Sequence, residues 1–188
     1  MISFSARGLL WIAALAEAVL ALLSALALDK DSFPVYLALY FAMSVPWLAA
    51  SYVAVREIRS QPRDLFQVLL VAAILRAIFL PAGPVLSDDI FRYVWDGRVQ
   101  HAGTNPYVYP PDDARLSPVK EEIPRIYDGI NNKEIPTIYP PLMQILFYAA
   151  TSVSTSLVWM KTFFSLLDLA LVFVLARLLA ALKRPPLR

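Results

Sequence analysis

Gly8-Leu-Leu-Trp-Ile-Ala-Ala-Leu-Ala-Glu-Ala-Val-Leu-Ala-Leu-Leu-Ser-Ala-Leu-Ala-Leu28 carries a single charge, Glu17, near its middle. A helix needs about 20 consecutive apolar residues to cross the hydrocarbon of a bilayer, so this run predicts a spanning helix. Arg7 in front of it resembles the basic flank of a signal peptide. The run is too long for one, however, and lacks a small-residue cleavage site, so it is expected to be retained. Further apolar runs follow at Phe33 to Val55, Leu65 to Leu80, from about Ile138, and Leu157 to Leu182. The expected fold is therefore all-α: a multi-pass membrane protein of about five transmembrane helices.

Composition agrees. Of 188 residues, 59% are hydrophobic and 17% charged, against about 45–50% and about 25% in soluble domains. Mean hydropathy is +0.57, which excludes a disordered chain, collagen or an ordinary soluble enzyme. There is no cysteine, which removes disulfides, iron–sulfur clusters, thiolate zinc sites and cysteine nucleophiles. The single histidine, His101, gives no basis for a histidine-built metal site. A net charge of +2 gives no reason to expect nucleic acid as a partner. That small value hides a segregation: Ser87 to Glu134 holds nine acids and six bases, a net −3, leaving the rest of the chain at +5.

Pro46 is expected to kink the second run. Arg56, Arg59 and Arg63 then mark a cytoplasmic turn by the positive-inside rule, which places the N-terminus inside. Residues 1–82 thus form three membrane helices, ended by Pro81, Gly83 and Pro84. Residues 83–136 form an extracytoplasmic loop, and 137–188 two further spans. Five crossings would put Lys183, Arg184 and Arg188 outside, against the same rule. Either the fourth segment, whose apolar character fades at Thr151 to Ser156, does not fully cross, or a longer parent continues past Arg188. Glu17 and Asp168 are costly in hydrocarbon and are expected to meet other helices, while Arg76 can snorkel outward.

The loop from Pro81 to Pro141 holds ten of the fifteen prolines. Its first part, Ser87 to Gly103, predicts an amphipathic helix lying along the membrane surface: Ser87 caps it, Asp88 and Asp89 suit its dipole, and Gly103 ends it. Ile90, Phe91, Val94, Trp95 and Val99 form its apolar face; Asp89, Arg92, Asp96 and Gln100 lie on another. Trp95 and Tyr93 suit headgroup depth. Adjacent carboxylates at such a place could take a proton from a hydroxyl or hold a divalent cation beside a phosphate, or could simply cap a wet surface helix. Asn105 to Pro111 is stiffened by proline; its Tyr107 and Tyr109 could stack on sugar rings or anchor at the interface. Ile135 to Leu142 closes the loop, with Pro141 near a first helical turn and Tyr139 at the surface.

Two blocks, Leu86-Ser-Asp-Asp-Ile-Phe-Arg-Tyr-Val-Trp-Asp-Gly-Arg-Val-Gln-His-Ala-Gly-Thr-Asn-Pro-Tyr107 and Ile135-Pro-Thr-Ile-Tyr-Pro-Pro-Leu142, resemble the GT-C glycosyltransferases, especially the bacterial polyprenyl-phosphate-mannose-dependent mannosyltransferases. The resemblance covers about residues 65–182, leaves the two N-terminal helices unexplained, and concerns a family whose members are longer. It implies an enzyme of the cell membrane that moves a sugar, mannose by analogy, from a polyprenyl-phosphate donor to a glycan or lipid-linked acceptor outside the cytoplasm. Asp88 and Asp89 match the family's acidic pair, one acting as base. Arg92 and Arg98 are candidates for phosphate contact, Tyr107 and Tyr139 for substrate binding. The resemblance implies no definite cofactor; a divalent cation, if used, would sit at Asp88 and Asp89. The alternative is a non-catalytic membrane subunit whose folded loop binds a partner or lipid.

Overall fold

The computed structural model describes residues 5–29, 32–57 and 62–182, which are helical with no strand. Arg59 and the tail residues Lys183, Arg184 and Arg188 lie outside the described residues, as does the side chain of Arg63. The chain divides into two compact units, one made of residues 1–83 and 165–188, the other of Pro84–Phe164.

In the first unit, α1 (Ala6–Leu26) packs against α2 (Phe33–Ala42), α3 (Ser44–Glu57) and α4 (Pro62–Phe79). Ser5 caps α1, its Oγ accepting from the Gly8 N–H at 3.1 Å. The buried face of α1 is small, Ala13, Ala21 and Ser24, which lets neighbouring backbones approach. Glu17, four residues from both alanines, lies on that face. The expected kink falls at Met43, between α2 and α3. Pro46 lacks the N–H that would bond the Ala42 carbonyl, and Ser44 Oγ donates to the Phe41 carbonyl at 2.6 Å. Arg7 and Asp64, each at the start of its helix, form an ion pair between α1 and α4 at 3.4 Å. Arg76 of α4 also has a partner: its guanidinium binds the Asp168 carboxylate of α9 (Leu157–Ala181). Two charges that lipid would penalise separately thus neutralise each other.

Among the described residues, three stretches are long and apolar enough to cross a membrane: Ala6–Leu26, Phe33–Arg56 and Leu157–Ala181. At 18 residues, α4 also has spanning length, about 27 Å at 1.5 Å per residue, but carries Arg63, Asp64 and Arg76. The expected fourth span is different. Helix α8 (Pro141–Thr151) has only 11 residues, about 16 Å of rise, roughly half the hydrocarbon thickness.

The second unit is built around α5 (Asp89–His101). One side of α5 buries Trp95 and Val99 in a cluster with Leu116, Val119, Ile123, Tyr127 and Ile130. Those partners come from a 3-10 turn (Ala114–Leu116), α6 (Ser117–Glu122), α7 (Pro124–Asp128) and the residues after it. The opposite side packs on α8, which buries Gln144, Phe147, Ala150 and Thr151. Gly97 makes that approach possible: a Cβ there would lie 2.6 Å from the Phe147 carbonyl oxygen. Gly97→Ala must push α5 and α8 apart and is expected to cost about 1–3 kcal/mol, read as a lower melting temperature of the purified protein.

This arrangement buries the polar face of α5 instead of leaving it wet. Asp96 is 0% and Arg92 9% exposed, and Trp95 is buried at 1% with its ring 5.4 Å from that of Tyr127. The polar face is covered because residues 135–144 bring hydrogen-bond partners to it. Charged groups can be buried when so paired. Asp88, without a side-chain capping bond, is the N-cap residue; Ser87 Oγ accepts from the Asp89 N–H at 3.2 Å. Gly103, at φ +72, turns the chain away after α5 as expected.

Candidate functional site

On a 3.6-residue helix, Asp89, Tyr93, Asp96 and Gln100 (i, i+4, i+7, i+11) share one face. That face meets the second sequence block. At the buried centre, Arg92 Nε donates to Asp96 Oδ1 at 2.8 Å and Arg92 Nη2 to the Ile135 carbonyl at 2.9 Å. Gln144 Nε2 donates to Asp96 Oδ2 at 2.8 Å and Thr137 Oγ1 at 2.9 Å, and Gln100 Nε2 to Gln144 Oε1 at 2.9 Å. Both Asp96 oxygens are therefore satisfied, as a fully buried carboxylate requires.

At the N-terminal end of this stripe, the Tyr139 phenol lies beside Asp89 and Tyr93, near enough for both to perturb its titration. The Tyr93 ring meets that of Tyr139 edge-on at 5.0 Å and stacks on Phe147 at 4.7 Å. Burial raises the Tyr139 phenol above its ordinary value, and the nearby Tyr93 and Asp89 carboxylate push it further. Tyr93 is raised chiefly by burial, then by the Asp89 charge. A raised pKa favours the protonated form, so both phenols stay neutral at ordinary pH. Asp88 faces another partner, accepting from Asn131 Nδ2 at 2.7 Å.

The structure thus sets Asp89 beside Tyr139, ties Arg92 to the second block through the Ile135 carbonyl, and gives Asp88 to Asn131. Tyr107 joins through its hydroxyl, which donates to the Tyr139 carbonyl at 2.5 Å. Arg98 stands apart: nine residues after Asp89, it falls on the opposite side of α5 and pairs with Glu122 at 2.5 Å. Among the described residues no three histidine, aspartate or glutamate side chains converge. A divalent cation here would draw on Asp88 and Asp89 plus water or phosphate oxygens. Sequence reading missed Tyr93, Thr137, Asn131 and Gln144 as parts of the site. Only Gln144 left a signal, a lone amide within the apolar run of α8.

Apolar helices of bilayer-crossing length, joined to a helical unit that gathers carboxylate, guanidinium and phenol groups, define a helical membrane protein with its polar chemistry concentrated in one unit. The chain belongs to the MptA_B family, whose model, "Alpha-(1->6)-mannopyranosyltransferase, N-terminal domain", matches residues 1–186. The match takes in the two N-terminal helices that the motifs alone did not reach. No curated protein and no solved structure gives a match.

Proposed function

We propose that this chain forms the acceptor-activating part of a GT-C-type mannosyltransferase, moving mannose from a polyprenyl-phosphate donor to an acceptor hydroxyl on the extracytoplasmic side. The observation that carries this reading is the meeting of Asp89 with the Tyr139 phenol, because it joins the two sequence blocks at a single carboxylate. Tyr139 stays a donor and orients Asp89. A free oxygen of Asp89 takes the proton of the acceptor hydroxyl as the hydroxyl's own oxygen bonds the sugar's anomeric carbon. The bond from that carbon to the phosphate oxygen breaks, and the phosphate keeps the electron pair. No covalent sugar–enzyme intermediate is needed, and a base within reach of the reacting hydroxyl supplies about 10²–10⁴-fold of rate. Arg92, locked one turn from Asp89, contributes fixed positive charge toward the departing phosphate. Arg98 is assigned to its surface pair with Glu122.

The proposed topology has four crossings: α1, α2 with α3, α4 and α9. Helix α8 enters only the outer leaflet, with Leu142 and Ile145, 66% and 63% exposed, toward lipid. Both basic clusters, Arg56 to Arg63 and Lys183 to Arg188, are then cytoplasmic, which removes the conflict with the positive-inside rule. Because the chain has no cysteine, single cysteines report sidedness cleanly. Val108→Cys is expected to react with an impermeant maleimide in intact cells, and Arg59→Cys only after permeabilisation; the reverse pattern overturns the topology. Membranes containing the protein and labelled polyprenyl-phosphate mannose are expected to transfer label to acceptor. Inserted protein that transfers none overturns the enzymatic reading.

A further inference from the structure

At the far end of the same α5 stripe is an open groove of about 460 Å³, lined in part by Gln100, Gly103, Thr104, Asn105, Tyr107 and Gln144. We propose that this groove is a binding subsite for a neutral hexose unit of the acceptor, remote from the unit that reacts. The acceptor assignment rests on the transferase reading above; the affinity for sugar does not.

The lining chemistry selects the ligand class. Gln100 and Asn105 contribute amides, Thr104 a hydroxyl and Tyr107 an aromatic ring, the Gln144 amide being spent on Asp96, Thr137 and Gln100, and no lysine, arginine, aspartate or glutamate lines the groove. An anion would find no counter-charge there, and a hydrocarbon chain would desolvate the amides without return. A hydroxyl-rich, uncharged ring satisfies both the amides and the aromatic surface, and the volume falls within the range of about 300–1,000 Å³ usual for small-molecule sites.

The hydrogen-bonding capacity is set by the fold. Asn105 Oδ1 accepts from the Tyr107 N–H at 2.9 Å, which fixes the amide and leaves Nδ2 to donate. All three hydrogen bonds of the Gln100 side chain run from Nε2, leaving Oε1 to accept. The Tyr107 hydroxyl is held by the Tyr139 carbonyl, so its ring is presented in a fixed pose. Gly103 adopts φ +72, a turn that brings Thr104 and Asn105 back beside Gln100.

Spacing supplies the rest. Gln100 lies eleven residues beyond Asp89 on the same face, about 16 Å along the axis. One monosaccharide cannot touch both places, whereas an extended oligosaccharide can place a distal ring in the groove and its terminal hydroxyl at Asp89. Short acceptors should therefore be poor ones.

The test is binding of α-(1→6)-linked mannotriose to the purified full chain in lipid nanodiscs, without donor, followed by ligand-observed NMR. Thr104→Val and Asn105→Ala are each expected to weaken binding about three- to tenfold, the worth of one hydrogen bond, with Thr104→Ser restoring it. Free mannose should bind more weakly than the trisaccharide. Absence of trisaccharide binding, or binding indifferent to both substitutions, overturns the proposal, as does displacement by inorganic phosphate. If the trisaccharide binds through these residues while no mannose is transferred in membranes, the groove stands and the transferase reading falls. If transfer proceeds with an acceptor KM unmoved by either substitution, the groove falls and the transferase stands.

Discussion

Asp89→Asn is expected to lower mannosyl transfer by about 10²–10⁴-fold, the contribution of a positioned general base, while the protein still inserts and folds. The substitution keeps the shape and leaves an oxygen beside Tyr139. What it removes is the ability to take a proton from the acceptor. The loss should fall on kcat with little change in KM, since it concerns an interaction made in the transition state. Asp88→Asn, measured beside it, should have the smaller effect, because Asp88 accepts from Asn131 and has no phenol to orient it. Transfer assays on both variants in membranes decide the matter: two variants as active as the parent would remove the carboxylate base from the mechanism.

Asp96→Ala is expected to destabilise the second unit by about 3–5 kcal/mol, the cost of breaking a buried ion pair from one side. Arg92, 9% exposed, would keep its charge without a counter-ion, and Gln144 Nε2 would lose one acceptor. The measurement is thermal unfolding of the purified protein, with protease resistance of the Pro84–Phe164 unit as a second readout. Removing Glu122 from its pair with Arg98, where the glutamate side chain is 50% exposed, supplies the contrast at about 0–1 kcal/mol. Equal effects from the two substitutions would mean that the Asp96 cluster is not the polar centre of the unit.

The sequence-derived boundaries were good where local chemistry decides them. Gly8 to Leu28 anticipated α1 at Ala6–Leu26, and Leu157 to Leu182 anticipated α9 at Leu157–Ala181, since an apolar run has one solution in lipid. The break before Pro46 and the end of α5 before Gly103 followed from backbone rules. What failed was the surroundings of α5. Its polar residues recur at helical spacing whether they face water or protein, and the groups that cover them, the Ile135 carbonyl and Gln144, lie 43 and 48 residues away from Arg92 and Asp96. The apolar stretch after Ile138 folds as the 11-residue α8, the short helix that its fading apolar character at Thr151 to Ser156 had suggested. Likewise, Asp168 was expected to meet another helix and Arg76 to snorkel outward, but their mutual pairing is a fact of packing alone. In the candidate site, the acidic pair and Tyr139 were legible as motifs, whereas Tyr93 and Asn131 became visible only through contacts across the chain.

The bond between Arg76 and Asp168 also sets an order of assembly. Its partners are 92 residues apart, so at about 5–20 residues per second a ribosome needs roughly 5–20 s after making Arg76 before Asp168 exists. Through that interval the guanidinium must be held near the lipid headgroups, three residues from the end of α4. Helix α9 is therefore the one that lets α4 settle, and a nascent chain halted before Asp168 would leave Arg76 without its carboxylate.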